Sequence, residues 1–134
     1  MNAKKILATL ALASVSALAH AYNAADLQRD CSSAEASYSG EREAELTTDG
    51  VRCQAYVMGV ADGYAVGEYL ARQAGLGLNA FCLPKDPDLP RRLVRSVAIH
   101  LERMPLASTT STATLVAGAL AKSFPCADKL EPKK

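Results

Sequence analysis

Apolar side chains recur every three or four residues in four stretches of this 134-residue chain. That spacing is typical of one face of an α-helix, because residues three and four apart lie on the same side. The four stretches are Ala24–Ser37, Cys53–Arg72, Pro90–Arg103 and Leu115–Phe124. No stretch alternates apolar and polar residues as a half-buried strand does. The pattern therefore predicts an all-α fold, a small bundle of four to five helices.

The connection after the second stretch contains residues that end helices. Gly75 and Gly77 are stop signals, and three prolines make the linker that follows them extended. Leu76, Leu78 and Phe81 are apolar residues within this connection. Because apolar side chains favour burial, we expect the connection to fold inward.

The second stretch is an unusual helix because Gly59, Gly63 and Gly67 recur at a spacing of four. Each glycine costs about 1 kcal/mol relative to alanine inside a helix. Close approach of another helix to this bare ridge would offset that cost. The partner helix belongs either to the same chain or to a second copy. Membrane packing is the less favoured interpretation, since Asp62 and Glu68 interrupt the apolar run.

Residues 1–21 have the organisation of a secretory signal peptide. Two lysines precede the apolar run Ile6–Leu18, and Ala19-His20-Ala21 forms an A-x-A cleavage site. Cleavage there leaves residues 22–134, beginning at Tyr22, as a single helical domain. We therefore expect export to the periplasm, with no membrane insertion after cleavage.

The charge balance of the exported chain is close to neutral. Without Lys4 and Lys5, the 15 basic residues fall to 13 against 14 acidic residues, which gives a net charge of −1. The chain has no tryptophan, two phenylalanines and five tyrosines. This composition argues against binding to nucleic acid or to anionic lipid.

Four cysteines, an even number in an exported chain, predict two disulfides. Three pairings are possible, and the order of the helices favours Cys31–Cys53 with Cys82–Cys126, because antiparallel helices bring those ends together. A metal site is the alternative, but no C-x-x-C pair occurs, and His100 is the one histidine outside the leader. We predict no metal and no cofactor.

The motifs of common catalytic centres are absent from the sequence. There is no G-x-S-x-G elbow, no H-E-x-x-H helix and no phosphate-binding loop. The sequence therefore favours a binding or inhibitory protein over an enzyme.

Four short segments, in order along the chain, resemble the Rap/Tai family of immunity proteins. The resemblance extends over roughly residues 25 to 126, which is nearly all of the exported chain. The segments are CQAYVMGVADG at 53–63, FCLP at 81–84, LVAGAL at 115–120 and FPC at 124–126.

The resemblance implies a function that the residue pattern alone does not supply. Characterised members of this family are small helical periplasmic proteins, often homodimers, that bind and block peptidoglycan amidase effectors of type VI secretion. The inhibition is steric, since a protruding segment plugs the amidase cleft and the inhibitor needs no chemistry of its own. The resemblance thus implies a periplasmic immunity protein that is not an enzyme, with an amidase effector as its partner and a second copy as a further partner.

Loops that join helices are the expected contact segments, because loops carry partner specificity while the helices preserve the packing. Two loops qualify, Leu106–Thr112 and Gly75–Ala80. The residues expected at the contact are Leu106, Ser108, Thr109, Thr110, Ser111, Gly75, Leu76 and Asn79.

Two other functions stay open on the sequence alone. A periplasmic helical chaperone or envelope-stress protein would bind many unfolded chains weakly and would have no toxin partner. A small hydrolase would lose turnover when His100 or Asp62 is replaced by alanine.

Overall fold

The computed structural model of the chain describes residues 21–40, 45–104 and 110–127. These residues form four α-helices and no strand: α1 (Ala24–Ser39), α2 (Thr48–Gln73), α3 (Leu89–Glu102) and α4 (Thr112–Ser123). The predicted all-α fold is confirmed. The proposed leader as far as residue 20 lies outside the described residues. None of the four helices is both long enough and apolar enough to cross a membrane.

Side-chain caps fix where three of the helices begin. Asn23 and Asp26 form a reciprocal capping box at the start of α1. The side-chain oxygens of Thr47 and Ser111 accept backbone N–H bonds at the starts of α2 and α4. Each such cap contributes about 1 kcal/mol. The cap at Thr47 explains why α2 begins five residues before the predicted start at Cys53, where charged residues obscure the apolar period.

One hydrophobic core lies between the four helices. α1 packs against α2 and α3, and α4 packs mainly against α3. Full burial of an aliphatic side chain of this size contributes about 1.5–3 kcal/mol. The largest fully buried aliphatic side chains are Leu27, Val57, Leu93, Val94, Val97, Leu101, Val116 and Leu120.

Two disulfides close this small domain in the predicted pairing. Cys31 of α1 is bonded to Cys53 of α2, and Cys82, after α2, is bonded to Cys126, after α4. The sequence separations are 22 and 44 residues. In the chain-entropy model these bonds contribute roughly 3.4 and roughly 4 kcal/mol. The sequence-based pairing is confirmed.

A buried carboxylate ties Tyr22 to the bundle. Asp30 of α1 is fully buried, and it accepts bonds of 3.0 Å from Arg52 of α2 and from the hydroxyl of Tyr22. The ring of Tyr22 packs on Tyr56 with centroids 5.0 Å apart, and its carbonyl accepts a bond from Thr112 of α4. Burial and the bond to Asp30 raise the pKa of Tyr22, so its hydroxyl stays a donor. Tyr22 therefore contacts three helices.

Candidate functional site

The C-terminal half of α2 extends beyond the packed core. α2 has 26 residues and is about 39 Å long, whereas α3 has 14 residues and is about 21 Å long. The buried residues of α2 are Gly50, Cys53, Val57 and Ala61, and none lies beyond residue 61. The helix after Ala61 is therefore covered only in part, and its far end protrudes from the bundle.

A glycine turn ends α2 and reverses the chain. Gly75 has a φ of 77°, a left-handed conformation that glycine adopts without strain. The N–H of Leu76 donates to the carbonyl of Ala71 at 2.9 Å, and the N–H of Gly75 donates to the backbone carbonyl of Arg72 at 3.0 Å. This pair of bonds is a Schellman motif. The following residues, Gly75–Ala80, form what we call the return loop.

The return loop is bonded to the side of α2. The N–H of Ala80 donates to the hydroxyl of Tyr64 at 2.8 Å, and the N–H of Leu78 donates to Glu68 at 3.1 Å. Tyr64 and Arg72 also donate to the Glu68 carboxylate. Desolvation acts to raise the pKa of Glu68, but the bonds from Arg72 and from loop amides outweigh it and hold the pKa below its usual value. The loop is thus anchored on an ionised carboxylate.

Exposed apolar side chains concentrate at this end of α2. Five of the seven large apolar side chains that are exposed in the described residues lie between positions 66 and 78, and each is between 49% and 63% exposed. The charged residues in that interval, Glu68 and Arg72, pair with each other. A contiguous apolar surface on a small protein marks an interaction site. We call this surface the apolar tip; its members are Val66, Tyr69, Leu70, Leu76 and Leu78.

The prediction that the connection after α2 folds inward is wrong for two of its three apolar residues. Leu76 and Leu78 are exposed, while Phe81 is buried. Phe81 packs on Tyr64, with ring centroids 4.0 Å apart, and it precedes the disulfide-bonded Cys82. The side chain of Phe81 therefore belongs to the core, whereas the two leucines of the return loop are exposed.

A cleft of about 390 Å³ adjoins the apolar tip. Tyr69 belongs to both surfaces, and Tyr64, Phe81 and Leu83 supply further apolar lining. Its volume is in the range of small binding pockets, so it can accept one or two side chains of a partner. Glu68, Arg72 and Asn79 also line the cleft, which meets the apolar tip at Tyr69.

The structure separates the two predicted contact segments. Gly75, Leu76 and Asn79 lie in the return loop and are exposed, as a contact requires. Thr110 and Ser111 lie at the start of α4, whereas Cys82, beyond the return loop, is bonded to Cys126 at the other end of that helix. About 18 Å separates the ends of α4. Leu106, Ser108 and Thr109 lie outside the described residues.

The sequence reasoning missed the helical half of the apolar tip. Val66, Tyr69 and Leu70 appeared to belong to the apolar pattern of the second stretch. The buried positions in that helix are Cys53, Val57 and Ala61, and continuing their spacing leads to residues 64 and 68. Positions 66, 69 and 70 fall outside this stripe, which is the signal that could have identified them.

The predicted close packing of the glycine ridge against another helix of the same chain is wrong for the described residues. No atom lies within 4 Å of the Cβ position at Gly59 or Gly63, and Gly67 faces only a methyl group of Leu78, at 3.8 Å. The close helix approach occurs instead at Gly50, whose Cβ position lies 3.2 Å from the Cα of Ala34. The second-copy alternative for the ridge stays a prediction.

The two residues considered for hydrolysis are not brought together. Asp62 is exposed on α2, while His100 of α3 lies beside Gly118 of α4. Burial, and then the charge of Lys122, lowers the pKa of His100. The parts of the chain that the structure describes contain no group of three or more His, Cys, Asp or Glu residues that could hold a metal ion.

Comparison with known proteins gives one match. The family model of the Rap1a immunity proteins matches residues 23–126, which include all four helices and both disulfides. No curated protein and no solved structure matches the chain.

Proposed function

We propose that this chain, which belongs to the Rap1a immunity protein family, protects its cell by binding a secreted peptidoglycan amidase of type VI secretion and blocking its active-site cleft. The family implies a cognate effector as the partner and an inhibitor that is not itself an enzyme. The amidase identity of the effector and the steric mechanism are our proposal.

The apolar tip carries this proposal. Interfaces draw most of their energy from a few apolar or aromatic residues near their centre. An amidase that cuts a cross-linked polymer must keep its cleft open. A helix end about 10–12 Å wide can enter such a cleft. The tip presents one tyrosine and four aliphatic side chains at the protruding end of α2, without an unpaired charge between positions 66 and 78.

The periplasm is the proposed site of action, because two features agree with export. The first is the leader pattern that ends at Ala21. The second is the pairing of all four cysteines in disulfides, which persist in oxidising compartments and not in the cytosol. Mass spectrometry of the protein from a periplasmic fraction should give a first residue of Tyr22. Retention of the unprocessed chain in the cytosol would contradict this part of the proposal.

The inhibition test uses a panel of purified type VI amidases, including any that is encoded beside this chain, with peptidoglycan hydrolysis as the readout. Wild-type protein should inhibit one amidase strongly at equimolar concentration. Leu70→Asp and Leu76→Asp should each weaken that inhibition by about 10-fold or more, as expected for hot-spot positions.

Val51→Asp is the matched control for these variants. Val51 also lies on α2 and is 53% exposed, but it is in the first turn, far from the tip. It should inhibit as well as wild type, and all three variants should keep the wild-type melting temperature. Full inhibition by both tip variants would refute the tip as the contact, and the absence of inhibition across the panel would refute the amidase target.

We also propose that a second copy of the chain packs on the outer face of α2. Gly59 and Gly63 are both exposed and lie four residues apart, so they share one face of the helix on which a second copy can approach closely. Sedimentation velocity should detect a wild-type dimer, and Gly63→Leu should give a folded monomer. A monomeric wild-type protein at all concentrations would rule this out.

A further inference from the structure

Three hydrogen-bond donors converge on the carboxylate of Glu68. One oxygen accepts from Arg72 at 2.9 Å, and the other accepts from Leu78 N at 3.1 Å and from the hydroxyl of Tyr64 at 3.3 Å. The Glu68 side chain is only 14% exposed. This carboxylate is therefore the point where the helix and the return loop are joined.

The geometry of the loop requires an acceptor at this point. Leu78 directs its backbone N–H at the carboxylate, and the next residue, Asn79, has a left-handed φ of 46°. Successive amides around such a residue form a concavity that favours an anion. A carboxylate offers only acceptors, whereas a glutamine amide would turn two donors toward other donors. Glu68→Gln therefore changes this arrangement without changing the size of the side chain.

The apolar tip consists of two parts that Glu68 connects. Val66, Tyr69 and Leu70 lie on the helix, and Leu76 and Leu78 lie on the loop. The loop has two other attachments, the Gly75 turn at its start and the bond from Ala80 to Tyr64 at its end. Between these, the bonds to Glu68 determine where the loop leucines lie relative to the helix.

We infer that Glu68 is the positioning residue of the apolar tip: its carboxylate holds the return loop in the shape that binds the partner. This inference rests on the proposed function, since it takes the tip as the contact surface. A tip that is ordered before binding has less conformational freedom to lose on association. Removal of the carboxylate should leave the core intact and weaken binding.

The first measurement is amide hydrogen exchange in the free protein, which needs no partner. Glu68→Gln should speed exchange at the amides of Leu78, Asn79 and Ala80 while core amides such as Leu101 keep their wild-type protection. Glu102→Gln is the matched control, because Glu102 is exposed on α3 and does not line the cleft. Unchanged exchange in the loop of Glu68→Gln would overturn the inference.

The second measurement is affinity for the amidase that the wild-type protein inhibits most strongly in the panel described above. Glu68→Gln should bind about 5- to 50-fold more weakly at an unchanged melting temperature. The control Glu102→Gln should bind within about 2-fold of wild type. A loop that exchanges faster at unchanged affinity would overturn the positioning role.

A double-mutant cycle separates positioning from a general structural role. If Glu68 acts through the loop, Glu68→Gln should have little further effect once Leu76→Asp has removed the loop contact. Fully additive losses would overturn the inference while leaving the tip as the contact. If Leu76→Asp alone leaves the affinity unchanged, the apolar tip is not the contact surface. That result would refute both the proposed site and the positioning role of Glu68.

Discussion

Replacing the exposed glycines of α2 by alanine should stabilise the monomer. A helix-interior glycine costs about 1 kcal/mol relative to alanine. At Gly59 and Gly63 the added methyl group would meet no atom within 4 Å. We therefore expect Gly59→Ala and Gly63→Ala each to raise the free energy of unfolding by about 1 kcal/mol, which for a domain of this size is about 4–8 °C in melting temperature.

Gly50→Ala is the matched control in the same helix, with the opposite expected sign. Its methyl group would lie 3.2 Å from the Cα of Ala34 and 3.2 Å from a methyl group of Leu46. The leucine side chain can move, but the backbone of α1 is held beside α2 by the Cys31–Cys53 disulfide. Overpacking typically costs about 1–3 kcal/mol, which exceeds the gain in helix propensity. Net destabilisation of about 1 kcal/mol is expected.

Urea unfolding at low micromolar protein concentration measures these differences. The midpoints should rise for Gly59→Ala and Gly63→Ala and fall for Gly50→Ala, with unchanged slopes. A lower midpoint for Gly59→Ala or Gly63→Ala at every concentration would refute the reasoning, because it would mean that the ridge is packed within the monomer. A loss that appears only at high concentration would instead locate the packing in the dimer.

Two further predictions concern the second disulfide and the half-buried histidine, His100. Replacing Cys82 and Cys126 together by alanine should lower the free energy of unfolding by roughly 4 kcal/mol in urea titrations, and a loss below about 1 kcal/mol would contradict the loop-closure estimate. Burial, then Lys122, lowers the pKa of His100 in the folded state, so NMR should find it titrating below its unfolded value of about 6.5. The free energy of unfolding should therefore fall as the pH drops from about 6.5 through the folded-state pKa of His100. His100→Gln should remove this pH dependence. A folded-state pKa at or above about 6.5 would contradict the prediction.

The helices and the disulfide pairing could be predicted because both depend on information that is local or topological. The apolar period defines each helix, and the order of antiparallel helices brings Cys31 to Cys53 and Cys82 to Cys126. The glycine ridge was harder to interpret. A stripe of small residues shows that a neighbour can approach, but it does not show whether a neighbour is present. The structure leaves Gly59 and Gly63 uncovered in the described residues.

The candidate site was predictable only in part. The return loop was identified as a contact segment because it joins two helices. Its apolar residues were assigned to the interior because hydrophobicity in an irregular segment does not indicate which way a side chain points. Glu68 carried no local signal at all, since the loop amide that it binds belongs to Leu78, ten residues further along the chain. Such a contact depends on the reversal of the chain at Gly75.

The contacts of Tyr22 would restrict where the proposed leader could be removed. Cleavage after Ala21, as proposed above, would leave this tyrosine as the first residue of the working protein, with its hydroxyl on Asp30 and its ring on Tyr56. A cut one residue later would delete all of these interactions. Two requirements would then determine the cleavage position. The signal peptidase recognises the residues before the cleaved bond, and the folded domain needs Tyr22 directly after it. The same holds for recombinant expression, where an initiating methionine in place of Tyr22 would yield a less stable domain.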